Sequence, residues 1–157
     1  MNLLPNDEQN IPLGMDIENV NALDREISGK ILGIDYGEKR MGLALTDREQ
    51  RQAFAYDTLV VRPEFWDRLR EICEDENVDK IVVGLPLNMS GKYTKKTEEV
   101  VLFIGVLEEN IKIPVETVDE RLSSVEAKKR GGGAGIDESS AQIILQQYID
   151  KQIESSK

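Results

Sequence analysis

The sequence predicts an α/β fold: a mixed five-stranded sheet, three antiparallel strands and then parallel ones, with helices on both faces. Two observations carry this. Three short strand-like runs crowd together at the start of the patterned region, and apolar strands then alternate with amphipathic helices to the end. The first run, KILGIDYG, is apolar and β-branched and ends at Asp35 and Gly37, as a buried strand meets its turn. RMGLALTD alternates and reads as a second strand, and AFAYDTLV as a third. Their turn-length gaps imply an antiparallel meander. Residues 63–77 read as a helix, with Pro63 in its first turn and Phe65, Trp66, Leu69, Ile72 and Cys73 as its apolar stripe. KIVVGLP is wholly apolar, the mark of a central strand covered on both faces. After the polar loop NMSGKYTKK comes the helix TEEVVLFIGVLEEN, with Val100, Phe103, Ile104 and Leu107 toward a core. IPVETVDE is the fifth strand. SSVEAKKR reads as a short helix, with Ser123 and Glu126 at capping-box spacing. GGGAG breaks the chain. A last helix then starts at Asp137, with Ala141, Ile144, Leu145, Tyr148 and Ile149 on one face.

The 157 residues suit a single core. Residues 1–28 are aperiodic, acidic and polar, and read as a flexible arm ahead of a folded domain over 29–157. No run approaches the ~18 apolar residues of a membrane span, and the start MNLLPNDEQN resembles neither a secretory signal nor a transit peptide. A cytoplasmic protein is expected. Cys73 is the one cysteine, so no intrachain disulfide forms, and its helical spacing makes it a core residue. Histidine is absent, which excludes Ser-His and Cys-His nucleophile pairs, a histidine base and a histidine-ligated zinc. Chemistry must come from carboxylates, lysines, hydroxyls or backbone groups.

The net charge is −10, and residues 1–29 account for half of it. An acidic chain is a poor general binder of nucleic acid, but local fields outweigh the sum. Basic residues cluster at Lys39–Arg40, at Lys92, Lys95 and Lys96, and at Lys128–Arg130. The first two clusters follow strand ends, where they could neutralise a phosphate backbone.

The acids of interest also lie at element ends. Asp35 closes the first strand in GIDYG, where a carboxylate must be solvated, paired or bound to a cation. Gly33 and Gly37 would let backbone or phosphate approach. Asp119 and Glu120 close the fifth strand, and alternation sends them to opposite faces. Asp137 opens the last helix, where an N-cap role competes with ligation. Each signal alone fits a turn, a strand end or a cap. Together they make a hard, oxygen-rich site suited to Mg²⁺ or Mn²⁺ and to metal-assisted phosphodiester cleavage. GIDYGEKRMG matches neither G-x-G-x-x-G nor G-x-x-x-x-G-K-[ST].

GIDYGEKRMGLALTD, IVVGLPLNMSG, VDERLSSVEA and IDESSAQIILQQYID, in this order over residues 31–150, closely resemble the YqgF family of pre-16S rRNA nucleases, also described as Holliday-junction-resolvase-like. The resemblance implies a ribonuclease H-like fold and a nuclease dependent on Mg²⁺ or Mn²⁺. It implies action on structured RNA, at the 5′ end of precursor 16S ribosomal RNA. It places catalytic and metal-holding acids at Asp35, Glu120 and Asp137, with Asp119 accessory. It puts Asn88, Ser90, Arg121 and Ser123 on the nucleic acid, beside Lys39 and Arg40. A resolvase-like nuclease on branched DNA and a non-catalytic RNA-binding ribosome-assembly module are the alternatives, in a monomer or homodimer. The chain departs from the family where KKRGGGAG replaces a longer, lysine-bearing segment before Asp137. From the composition of the arm, a chain lacking residues 1–28 is expected to melt cooperatively with a midpoint near that of the full chain. Loss of cooperativity in a thermal melt would make the arm part of the fold.

Overall fold

The computed structural model describes residues 29–120 and 139–155. Eight elements are seen: β1 (Lys30–Asp35), β2 (Arg40–Thr46), β3 (Ala53–Val60), α1 (Phe65–Asp75), β4 (Val78–Leu85), α2 (Lys95–Asn110), β5 (Val115–Asp119) and α3 (Ser140–Ser155). The strands form one sheet in the order β3-β2-β1-β4-β5. β1, β2 and β3 make the expected antiparallel meander, with Asp35 opposite Gly42 and Met41 opposite Leu59. β4 runs parallel to β1 and β5 parallel to β4, pairing Ile34 with Val83 and Leu85 with Asp119. The carboxyl ends of β1, β4 and β5 therefore share one edge, where open α/β sheets place their sites.

The pleat divides the core in two. Leu32, Ile34, Leu43, Ile81 and Val83 pack under α1 and α2, meeting Leu69, Ile72, Val100, Phe103 and Leu107. Ile31, Ala44, Val82 and Val118 face α3, meeting Ala141, Ile144, Leu145, Tyr148 and Ile149. Because both faces are covered, β2 does not alternate as its sequence suggests: Leu43, Ala44 and Leu45 are all buried. β3 is an edge strand, and five of its consecutive residues are exposed among the described residues. Cys73 is buried in α1, and burial pushes its thiol up to about 11.

All three helices begin away from the expected residues: α1 starts at Phe65 after its N-cap Glu64, so Pro63 precedes its first turn, and the other two differ for reasons of capping. α2 starts at Lys95, because Thr94 and Thr97 form a reciprocal capping box. The Thr97 hydroxyl also donates to the Pro86 carbonyl, tying the start of α2 to the end of β4. α3 starts at Ser140 and not at Asp137. The Gln142 amide donates to Ser139 Oγ at 3.0 Å, so Ser139 supplies the cap. Asp137, Arg121, Ser123 and the expected helix SSVEAKKR lie outside the described residues.

The approach of α3 is set by glycines. A methyl group at Gly33 would lie 2.9 Å from Leu145 Cβ and 3.3 Å from the Ala141 carbonyl oxygen. At Gly84 it would lie 2.6 Å from Ile144 Cδ1. At Gly33 it is the helix, not a phosphate, that fills the space left by the missing side chain. Gln142 and Gln146 then clamp α3 to the start of β3. The Ala53 amide donates to Gln146 Oε1 at 2.8 Å, and Gln142 Nε2 donates to the Ala53 carbonyl at 3.2 Å. Gly33→Val is expected to lift α3 and cost about 1–3 kcal/mol, the usual penalty for overpacking. A denaturant titration reads this; an unchanged midpoint would show that α3 accommodates the side chain.

Candidate active site

Asp35 and Glu120 meet at the carboxyl edge of the sheet. Asp35 follows Gly33 by two residues and so points to the α3 side, where its Cβ approaches the missing side-chain position of Gly42. Glu120 follows Val118, which also faces α3. Its amide donates to the Leu85 carbonyl at 3.0 Å and continues the β4–β5 ladder by one residue. Glu120 Cδ lies 3.5 Å from where a Gly84 side chain would start. The pleat thus separates the two neighbouring acids: Glu120 falls on the face of Asp35, and Asp119 points with Leu85 to the other.

The two carboxyl groups hydrogen-bond each other. Glu120 is pushed up to about 7, first by burial, then by the charge of Asp35 and by the shared hydrogen bond. Burial also raises Asp35, while the bond from Glu120 and the charge of Lys96 oppose that rise. The pair therefore shares a proton more readily than two separate carboxyl groups would, with Glu120 as the donor to Asp35.

Lys96 stands over this pair from the first turn of α2. Its charge lowers both acids. Its Nζ lies 5.0 Å from the centre of the Tyr36 ring and 3.9 Å from Glu99 Oε1. The sequence singled out Lys96 only as one of a basic cluster. Its spacing from the Thr94 cap was the signal that could have aimed it at the strand ends.

The loop after β4 is built on Asn88. Its Oδ1 accepts from the amides of Ser90 and Lys92, at 3.0 and 2.9 Å, and from Ser90 Oγ at 2.8 Å. Gly91 closes the turn at φ 83°, a conformation suited to glycine. Asn88 and Ser90 therefore hold each other while presenting an exposed loop beside the site. Lys39 lies exposed in the turn after Asp35, and Arg40 lies exposed at the start of β2. There the Lys39 carbonyl accepts from the Val61 amide at 2.8 Å. A side chain on Gly37 would strike the Arg40 carbonyl oxygen at 2.1 Å, so this glycine serves the turn.

Among the described residues no cluster of three acids, histidines or cysteines converges to hold a metal ion. The donor set there is the pair Asp35 and Glu120. Its oxygens are hard, partly desolvated and mutually repulsive, which fits a divalent cation of the Mg²⁺ or Mn²⁺ kind.

A sheet of this order, with acids gathered on its carboxyl edge, is the architecture of the ribonuclease H-like nucleases, which are phosphodiester hydrolases by class. The chain belongs to the RuvX family, described as Holliday junction resolvase, whose family model matches residues 29–151. A relative from Maridesulfovibrio salexigens, named "Putative pre-16S rRNA nuclease", is 39% identical over 131 residues, 76% of this chain and 97% of its own. One of the same name from Anaeromyxobacter sp. is 38% identical, covering 78% of this chain and 97% of its own. The T. thermophilus RuvC structure in complex with a Holliday junction substrate shares the fold. It has a TM-score of 0.52 and 13% identity over 80% of this chain and 96% of that one. No helix among the described residues is long and apolar enough to cross a membrane.

The raised Glu120 predicts a pH dependence of stability. The folded chain holds this proton more tightly than the unfolded chain, whose ordinary value is 4.5. The stabilisation is complete below that value and is lost as pH rises through about 7. In EDTA the melting midpoint should fall between about pH 5 and pH 8, and Glu120→Gln should flatten that slope. A parental slope unchanged by Glu120→Gln would assign the pH dependence to other groups.

Proposed function

We propose that this protein is a divalent-metal-dependent endonuclease acting on structured RNA, with the 5′ end of precursor 16S ribosomal RNA as its substrate. The observation that carries the reading is the half-buried Asp35–Glu120 pair at the carboxyl ends of β1 and β5, on either side of β4. The relatives' name supports the RNA substrate. Asp35 and Glu120, with Asp137 as a third acid, are the residues that would hold the metal. Asp119 is accessory, turned to the other face. When bound, Mg²⁺ or Mn²⁺ supplies an activated water and stabilises the leaving oxygen of the phosphodiester.

The chain's own groups prepare this chemistry. Partial burial between α3 and the strand ends thins the water around the acids and strengthens their fields. Glu120 gives up its proton when the pair takes up a cation, so binding is tighter above about pH 7 than below it. Lys96 presents a positive charge at the same rim, where a phosphate would lie. Lys39 and Arg40 extend that charge along the turn after Asp35, and Asn88, Ser90, Arg121 and Ser123 are the remaining contacts proposed for the nucleic acid.

The test uses the purified full chain with a precursor 16S RNA fragment and with a four-way DNA junction, each with Mg²⁺ or Mn²⁺. The RNA should be cut and the junction spared. Asp35→Asn should lose at least about a hundredfold in rate while its metal-free fold melts at or slightly above the parental midpoint. Mn²⁺ should raise the parental midpoint by ligand linkage, and Asp35→Asn should lose most of that gain. Parental cleavage by Asp35→Asn would overturn the site. Preferential cutting of the junction would transfer the function to branched DNA.

A further inference from the structure

On the face opposite α3, a cavity of about 340 Å³ opens at Tyr36, the residue after Asp35. Its walls include Tyr36, Trp66 and Phe103, whose rings form a chain. Tyr36 and Phe103 lie 5.2 Å apart, and Phe103 and Trp66 are stacked at 5.9 Å. Glu99 lines the cavity with its Oε1 buried and without a hydrogen-bond partner among the described residues. Its charge contact is Lys96 Nζ, at 3.9 Å. Arg62 and Val106 border the same space, and Val106 is 42% exposed.

Three features point to one kind of occupant. The aromatic wall offers stacking to a flat ring of any sequence. A carboxylate lines the same wall at Glu99, whose buried Oε1 has the 3.9 Å ion pair to Lys96 but no hydrogen bond among the described residues, and a buried acceptor without one is costly. The position is adjacent to the chemistry: Tyr36 directly follows Asp35 in the chain, and Lys96 contacts Tyr36 and Glu99 while acting on both acids. We propose that this cavity receives one unpaired nucleobase, from the nucleotide next to the phosphate held at Asp35 and Glu120. Tyr36 and Trp66 stack the base, and Glu99 accepts a hydrogen bond from its amino group. The proposal rests on the nuclease reading above and adds that the bond cut is flanked by an unstacked base. Adenine, cytosine and guanine present amino donors to Glu99. Uracil presents a single N–H between two carbonyl oxygens, which the carboxylate repels.

Trp66 is the single tryptophan, so its fluorescence reports occupancy of the cavity directly. The full chain is titrated in EDTA with single-stranded oligocytidylate, oligouridylate and a fully paired RNA duplex. Oligocytidylate should quench Trp66, oligouridylate should bind about tenfold more weakly, and the duplex should leave Trp66 unquenched. Val106→Phe fills the mouth from an exposed position and should weaken oligocytidylate about tenfold. Glu99→Gln, of the same shape, should erase the preference over oligouridylate. Circular dichroism melts confirm that both variants fold.

No quenching, or quenching that neither variant changes, overturns the proposal and leaves the cavity to a protein partner. Because the readout requires no turnover, it separates from the nuclease reading. Metal-dependent cleavage with an unresponsive Trp66 refutes the base site alone. Responsive Trp66 without cleavage refutes the catalytic reading and leaves a base-binding module.

Discussion

The depth at which α3 lies on the sheet is the constraint on which the rest of the structure depends. Gly33 and Gly84 leave bare backbone under Ala141, Ile144 and Leu145, and the helix settles into that space. Ile144 and Leu145 are fully buried as a result. The same descent encloses the ends of β1 and β5, where Asp35 and Glu120 meet. A helix held farther out would leave both carboxyl groups in water, where each would ionise near its ordinary value and the pair would carry no stored repulsion. The raised proton affinity of Glu120 is thus a consequence of packing several residues away.

The acid pair is balanced from the opposite side. α2 is anchored to the end of β4 through Thr97 and Pro86, and its capping box puts Lys96 in the first turn. One helix removes solvent from the acids and another brings a cation to them. The two effects oppose each other on Glu120, and burial prevails there. Full ionisation of such a pair is costly, and the divalent ion proposed for it would take the place of the proton.

The rim also joins two faces of the sheet that a strand's pleat ordinarily keeps apart. Asp35 points under α3, whereas Tyr36 points toward Phe103 and α2. Lys96 and Glu99 connect the two environments across the strand ends. Under the proposed reading, a polynucleotide laid over this edge would meet carboxylates on one side and aromatic rings on the other, a division of labour between backbone and base.

The eight described elements were legible in order and type, because apolar period and turn chemistry are local properties. The stripes on α1 and α3, the meander and the central β4 all followed from spacing, and the ordered motifs gave the family. Asp35 could be singled out as an acid ending a buried strand. Between Asp119 and Glu120, however, local pattern only sends neighbours to opposite faces. The choice of face came from the parity that β5 shares with β1 through β4, a register fixed by pairing across the sheet. The start of α3 at Ser140 was likewise decided by which side chain reaches the free amides, here that of Ser139. Glycines that seemed poised for phosphate proved to admit a helix and a turn, since a missing side chain names no occupant. The sequence by itself determined which residues could carry charge, cover a face or end an element. Only the tertiary structure decided which of them touch, because contact depends on register and packing depth between segments far apart in the chain.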